Sequence, residues 1–256
     1  MFNQDRDHLS ISLTEQAIKI AQARSSGAVV KVVRRPISGT TGDGVARELK
    51  AALAGFNPKK THVLCVIPAS VATTKNIEIP SVDPEEIKSI INLQAARHTP
   101  FSREEILVGH VNLGSYQSNF TKALLVIVNR NVVKERLKIL ESAGLEVHKV
   151  VFEPEGIARF YAKTLNVKKD SAPVGIIDVG PHSTTVVIES RGTAAMCRSV
   201  PIGTSELGSQ GAEARDKLVA EIKTSLDSYR DEEIDKTPAF FLLTSTQSIV
   251  KDLQPS

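Results

Sequence analysis

The chain has 256 residues, of which 41% are apolar and 24% are charged, and its formal net charge is +3. This length allows one large or two modest domains with a substantial core, and the composition excludes an intrinsically disordered chain. The basic residues are scattered, so their small excess does not indicate a nucleic-acid-binding surface.

The cysteines and histidines show no metal-binding or disulfide pattern. Cys65 and Cys197 each lie in apolar, strand-like sequence, so we expect two reduced thiols in the core of a cytosolic protein. The six histidines have no ligand spacing, which argues against a zinc site. The apolar run Ala123–Val128 is far shorter than the roughly 20 residues of a membrane-spanning helix. We therefore expect no direct membrane insertion.

Residues 1–72 predict a first subdomain. The stretch "DHLSISLTEQAIKIAQARSSGAVVKVVRRPI" alternates apolar and polar residues, with breaks near Thr14 and at Ser25–Gly27, so it predicts a meander of three strands. A helix from Asp43 to Ala54 and a buried strand in "THVLCVIP" follow. We expect residues 148–170, with a strand in "LEVHKVVF" and a helix in "EPEGIARFYAKTL", to complete this subdomain.

Residues 73–147 predict an inserted α/β unit. It begins with a strand in "TTKNIEIP" and a helix for which Asp83 is the expected cap and Pro84 the first residue. A hairpin around "EILVGHVNL" and "TKALLVIVN" and a helix that ends at Gly144 complete the unit.

The first pattern returns in residues 173–256. "VGIIDVG", "STTVVIES" and "TAAMCRSVPIG" predict a second meander, and a long amphipathic helix and the apolar strand "AFFLLTS" follow it. The predicted buried stripe of that helix is Leu218, Ile222, Leu226 and Tyr229. The chain therefore carries an internal duplication of architecture.

This order resembles the actin-like ATPase fold, and more narrowly its PilM and FtsA branch. The resemblance is carried by "VLCVIPASVATTKNIEIPSVDPEEIKSIINLQAARHTPFSREEILVGHVNL", "ILESAGLEVHKVVFEPEGIARFYA", "IIDVGPHSTTVVIESRGTAAMCRSVPIG" and "LVAEIKTSLDSYRDE". It implies an α/β, ribonuclease H-like duplicated fold with an inserted small α/β subdomain in the first half and a reduced second half.

The resemblance also implies a function. PilM-type proteins are assembly proteins on the cytoplasmic face of a type IV pilus or related secretion machine. They bind ATP in the cleft between domains and hold the cytoplasmic tail of an inner-membrane partner, PilN. The similar cytoplasmic domain of GspL docks an assembly ATPase. We therefore expect a cytoplasmic scaffold that is peripheral to the inner membrane through its partners. The ending is abrupt for this fold, which leaves open whether the chain is the cytoplasmic part of a longer protein.

In this fold two facing hairpin corners hold the nucleotide phosphates through backbone N–H groups, and an acidic residue before a glycine holds magnesium. In the second corner Asp178 and Gly180 match this pattern, and Ser183, Thr184 and Thr185 offer hydroxyl donors. A plain hairpin, whose glycine only meets the turn geometry, is the alternative interpretation.

The first corner lacks the pattern. Alignment of Lys19 with the family's lysine puts Ser12, Leu13 and Thr14 where an aspartate, an apolar residue and a glycine are expected. A threonine at this corner is expected to narrow the loop and block the phosphates.

Two further departures point the same way. Only about a dozen residues separate Gly203 from the long helix, where the family has a subdomain; Glu213 and Lys217 are a remnant of its ribose-binding pair or simply solvated helix surface. Ser245 and Thr246 replace a glycine pair expected against the adenine. We therefore predict a degenerate nucleotide site that binds no cofactor, or binds ATP and Mg²⁺ weakly.

Two alternatives remain open. One is a working PilM-like ATPase that uses Asp178 and Gly180 with a remodelled first loop. The other is a filament-forming protein like FtsA, which requires a membrane-binding tail that "VKDLQPS" does not resemble.

The glycine-rich "SGTTGDG" lacks the lysine of a phosphate-binding loop, so we interpret it as a connection. For a scaffold, the partner's tail is expected in a groove between the first domain and the inserted unit, near "TTKNIEIP" and the helix after Asp83.

Overall fold

A computed structural model describes residues 6–37, 42–116, 119–168, 171–232 and 235–245. The strands are β1 (Asp7–Leu13), β2 (Ala17–Ala23), β3 (Val29–Pro36), β4 (Thr61–Ile67), β5 (Ala72–Ile79), β6 (Ile106–Tyr116), β7 (Phe120–Asn129), β8 (Lys149–Phe152), β9 (Val174–Val179), β10 (Thr184–Ser190), β11 (Thr193–Val200) and β12 (Phe240–Ser245). The α-helices are α1 (Gly42–Ala52), α2 (Pro84–Ala95), α3 (Arg130–Ser142), α4 (Glu153–Thr164), α5 (Thr204–Gln210) and α6 (Ala212–Asp231).

The chain divides into two compact units. Residues 1–71 and 129–153 form the first unit, and residues 72–128 and 154–256 form the second. This grouping differs from the sequence-based division into 1–72 with 148–170, 73–147 and 173–256. Helix α3 was assigned to the inserted unit, but it packs against α1 and β4 of the first unit. An amphipathic pattern shows that a helix has a buried face, and it does not show which element covers that face.

The first unit is built on one five-stranded sheet in the order β3-β2-β1-β4-β8. β1, β2 and β3 form the predicted antiparallel meander, whereas β4 runs parallel to β1 and β8 runs parallel to β4. Alternate side chains of these strands point to one face and are buried; they include Leu9, Ile11, Ile18, Ile20 and Val63. That face forms the core of the unit, together with Leu49 of α1.

The second unit contains the same arrangement. Its four-stranded sheet has the order β11-β10-β9-β12, with an antiparallel meander and with β12 parallel to β9. This order repeats β3-β2-β1-β4, which confirms the predicted duplication. In α6, Leu218 and Tyr229 are buried, while Ile222 and Leu226 pack half-buried against the same clusters.

The inserted sheet also belongs to the second unit and has the order β5-β7-β6. Helix α2 covers one face of it through Ile87, Ile91 and Ala95. Asp83 is the predicted cap: its Oδ1 accepts hydrogen bonds from the amides of Glu85 and Glu86, both at 3.0 Å.

Side chains of β5 join the inserted sheet to β11. Thr74 Oγ1 donates to the carbonyl of Cys197 at 2.6 Å, and Asn76 Nδ2 donates to the carbonyl of Ala195 at 2.8 Å. Lys75, which lies between them on β5, pairs with Glu232.

Both cysteines are buried and free, as predicted. Within the described ranges, no group of three or more His, Cys, Asp or Glu side chains is arranged to hold a metal ion. No helix in the described part of the chain is long and apolar enough to cross a membrane.

Candidate functional site

The first corner, between β1 and β2, is closed by its own hydrogen bonds. The amide of Thr14 donates to the carbonyl of Ala17 at 3.0 Å. The hydroxyl of Thr14 donates to the same carbonyl at 3.0 Å and accepts from the amide of Ala17 at 3.1 Å. The amides of Thr14 and Ala17 and the hydroxyl of Thr14 are thus bonded within the turn and are not available to a phosphate. Thr14 is not among the described residues with positive φ. The threonine makes the corner a compact hairpin turn.

Lys19 lies on β2 directly opposite Ser12 of β1. Directly opposed residues of an antiparallel pair point to the same face of the sheet. Ser12 is only 6% exposed, and its hydroxyl has no hydrogen-bond partner among the described residues. A buried hydroxyl therefore lies beside the lysine, at the position where the sequence analysis expected an aspartate.

A cleft of about 570 Å³ lies beside the first corner within the first unit. It is lined by Leu13, Thr14, Glu15, Ile37, Gly42, Asp43, Val45, Glu135, Arg136, Lys138, Ile139 and Ser142. The charged residues of this lining are three carboxylates, Glu15, Asp43 and Glu135, and two cations, Arg136 and Lys138. This balance does not favour a polyanion such as a triphosphate.

The second corner begins at Asp178, near the end of β9. Its Oδ1 accepts a hydrogen bond of 2.9 Å from the hydroxyl of Thr244, the residue directly opposite on β12. The carboxylate is half-buried in this position. One carboxylate oxygen of Asp178, the residue expected to hold magnesium, therefore already accepts a hydrogen bond within the sheet.

Gly180 forms a tight turn with Ser183. The amide of Gly180 donates to the carbonyl of Ser183 at 2.9 Å, and a Cβ on Gly180 would lie 3.0 Å from that oxygen. Pro181 follows and has no N–H group, so the turn has one amide donor fewer than a glycine-rich phosphate loop. Close approach within the turn, and not a positive φ, accounts for the glycine.

The start of α5 fixes this turn. The amides of Thr204 and Ser205 donate to the carbonyls of Gly180 and Pro181, both at 2.9 Å. A Cβ on Gly203 would lie 2.4 Å from the amide nitrogen of His182 and 2.5 Å from the carbonyl oxygen of Gly180. The first N–H groups of α5 are thereby used by the turn.

Helix α5 and the role of Glu206 were missed by the sequence analysis. Glu206 Oε2 accepts from the amide of Gly203 at 2.8 Å, and His182 Nδ1 donates to Glu206 Oε1 at 3.0 Å. A capping box has Ser, Thr, Asp or Asn at the cap and a glutamate three residues later, and "GTSE" carries only the glutamate half of this signal, because glycine has no side chain. The pair attaches His182 of the turn to the helix that supports it.

Glu206 should make this support depend on pH. The hydrogen bond from His182, and next the amide of Gly203, lower the pKa of Glu206. A lowered folded pKa contributes stability above the unfolded value of about 4.3, and the contribution is lost as pH falls through the folded pKa. We expect Glu206→Gln to lower the free energy of unfolding by less than about 1 kcal/mol at neutral pH, because the group is partly exposed. Urea unfolding near pH 7 and near pH 3 should show the difference only at the higher pH; an equal difference at both would contradict it.

The three predicted hydroxyl donors lie in different surroundings, and Thr185 on β10 is buried. Ser183 is half-buried in the turn, whereas Thr184 is fully buried and its hydroxyl donates to the carbonyl of Ile202 at 2.7 Å. In this arrangement Thr184 offers no donor to a ligand. The corner therefore keeps Asp178, Gly180 and Ser183 close together in sequence and space, with Thr184 facing the core.

The remaining nucleotide-binding elements give no further support to a site. Glu213 and Lys217 are both exposed on α6, where solvated helix surface was the alternative interpretation. Ser245 is the last residue of β12, and Thr246 lies outside the described residues, as do residues 38–41 of the glycine-rich connection.

Comparison with known proteins gives the family and the fold. The family model for type IV pilus assembly protein PilM matches residues 19–220. No curated protein sequence matches the chain.

Three solved structures share the fold. A PilM–PilN type IV pilus biogenesis complex is 16% identical with a TM-score of 0.79, and 96% of this chain and 83% of that chain are covered. The cytoplasmic domain of EpsL, an inner-membrane component of the Vibrio cholerae type II secretion system, is 12% identical with a TM-score of 0.57, covering 94% and 84%. A Bacteroides thetaiotaomicron protein of unknown function with an actin-like ATPase fold is 12% identical with a TM-score of 0.57, covering 99% and 88%. Because the family model matches well over half of its residues, the chain belongs to the type IV pilus assembly protein PilM family and has the actin-like ATPase fold.

Proposed function

We propose that this chain is a cytoplasmic scaffold of a type IV pilus or related secretion machine, which binds the cytoplasmic tail of a PilN-like inner-membrane protein and carries a degenerate nucleotide site. Family membership supports the assembly role, and the similar PilM–PilN complex supports a partner of that kind. An assembly ATPase, which the resemblance to GspL implies, is proposed as an additional partner.

The observation that carries the degenerate site is the internal bonding of both corners. Thr14 closes the first corner on Ala17, and the second corner bonds Gly180 to Ser183 and Asp178 to Thr244. The residues present do not fit a magnesium-bound triphosphate, although Lys19, Asp178, Gly180 and Ser183 remain as its remnant. The alternative, a working ATPase, requires the second corner to release these bonds.

Titration with a fluorescent ATP analogue and Mg²⁺ separates these two functions. We expect no saturation at micromolar concentrations, because the amides of Thr14, Ala17 and Gly180 are bonded within the turns and do not point to a phosphate. Gly180→Val tests any signal that is seen, and Gly109→Val is its control, since no atom lies within 4 Å of a Cβ at Gly109. Micromolar affinity that is lost in Gly180→Val and kept in Gly109→Val would overturn the degenerate site and favour the ATPase alternative.

We place the tail on the inserted sheet, with apolar contacts from α2 and its surroundings. Leu93 on α2 is 65% exposed, and Val82 and Phe101 beside the two ends of the helix are also exposed. An extended tail needs such side-chain contacts for specificity. Because this face is already open to solvent, changes there leave the core cluster of the unit intact.

Leu93→Asp is expected to weaken tail binding about tenfold, since an apolar contact would be replaced by a buried charge. The measurement is calorimetric titration of the chain with synthetic tails of PilN-like proteins. Val219→Asp, an exposed apolar position on α6, is the matched control. Absence of saturable binding by the unmodified chain would exclude the tail-binding role, and equal loss in both variants would exclude this docking face.

A further inference from the structure

Strand β3 forms one edge of the five-stranded sheet in the first unit. Within the described residues, β2 is its only neighbour, so the outer side of β3 has no paired strand. Val29, Val30 and Val32 are 56%, 46% and 65% exposed. A long edge strand with exposed β-branched residues is a ready template for another strand, and proteins usually protect such edges.

The charges of β3 are all of one sign. Lys31, Arg34 and Arg35 lie on this strand, which has no acidic residue. Lys31 Nζ donates to the carbonyls of Ala54 and Gly55, and Arg35 pairs with Glu48 at 2.6 Å, so both side chains are held by the α1 side of the unit. Arg34 is exposed, and none of the described residues forms an ion pair or hydrogen bond with its side chain.

Arg34 also lies directly opposite another cation. Its partner across the hairpin is Lys19, which likewise has no ion pair among the residues that the structure describes. Like charges at directly opposed positions destabilise an antiparallel pair. The adjacent opposed pair on this face, Val32 with Ala21, is apolar. On this face of the sheet, the edge strand β3 and its neighbour β2 thus carry two unneutralised positive charges, Arg34 and Lys19, next to an apolar pair.

We propose that the edge of β3 binds an extended acidic segment of a partner protein as an additional strand. A carboxylate of that segment lies opposite Arg34 and neutralises the Arg34–Lys19 pair, and an apolar side chain two residues away covers Val32. Backbone pairing along the edge supplies affinity, and this alternating pattern supplies specificity. This interaction is separate from tail binding, which the proposed function places on the inserted sheet.

The test uses a fluorescein-labelled peptide of alternating valine and glutamate, with a valine–lysine peptide as the charge control. Fluorescence anisotropy at low salt, about 50 mM, should show saturable binding of the first peptide alone. Arg34→Glu should weaken it about fivefold or more, the effect expected from reversing one cross-strand charge pair. Lys59→Glu makes the same change in net charge at an exposed position outside β3 and should leave the affinity within about twofold.

Backbone pairing is tested with a valine–glutamate peptide that is N-methylated at alternate residues, which removes the donors of one side. This peptide should not bind. Equal binding of the methylated peptide, equal loss in Arg34→Glu and Lys59→Glu, or no saturable binding would overturn the proposal. Concentration-dependent dimerisation in sedimentation experiments that is abolished by Val32→Lys would show that a second copy occupies the edge, which also overturns it. Binding of the PilN-like tail to Arg34→Glu reports separately on the proposed function.

Discussion

Gly203→Val is expected to lower the free energy of unfolding of the second unit by about 3 kcal/mol. A Cβ at this position would lie 2.4 Å from the carbonyl carbon of Pro181 and from the amide nitrogen of His182. Both are backbone atoms, and the turn cannot retreat without losing its hydrogen bonds from Thr204 and Ser205. Because a side-chain rotation cannot relieve the overlap, the cost falls on the turn and on the start of α5.

Thermal unfolding followed by circular dichroism measures this effect. For a unit of this size the expected decrease in Tm is about 6–12 °C. Gly109→Ala is the control, because a Cβ there meets no atom within 4 Å and should leave Tm almost unchanged. An unchanged Tm in Gly203→Val would mean that the turn moves freely away from α5, and it would remove the main argument for a rigid second corner.

The meanders could be predicted from sequence because their signal is local. In β3, Val30, Val32 and Arg34 are exposed while the residues between them are half-buried. The exposure of the side chains therefore alternates along this edge strand with a period of two residues. The cap at Asp83 was equally local, since aspartate, proline and two glutamates stand together. The order of these elements then carried the resemblance to the family.

Thr184 shows where the local signal ends. β10 lies between β9 and β11, and all of its residues from Thr184 to Ser190 are buried, so its sequence carries no alternation that separates an inward hydroxyl from an outward one. Helix α5 has only seven residues, which is too short for a helical period to emerge. Its contact with the turn through Gly203 depends on tertiary packing, and a single sequence does not show such packing.

Replacing Thr74 with valine and Asn76 with leucine together is expected to destabilise the attachment of the inserted sheet by about 2 kcal/mol. The two side chains donate to the carbonyls of Cys197 and Ala195, which lie two residues apart on β11. Carbonyls at this spacing point to the same side of a strand, and β11 is an edge strand whose only described neighbour is β10. The side chains of β5 therefore satisfy an edge that would otherwise be left unpaired.

Hydrogen exchange of the β11 amides, read by mass spectrometry, measures the loosening. In the double variant we expect faster exchange in β11 and in β5, with β9 unchanged, because β9 pairs with β10 and β12 and not with β5. Thr73→Val is the matched control, since Thr73 is exposed on the same strand. Faster exchange in the control as well would assign the effect to β5 itself and not to the contact. If the double variant also weakens tail binding while Thr73→Val does not, the inserted sheet must be held against β11 in order to bind the tail. The four-stranded sheet that contains β11 then supports the docking surface.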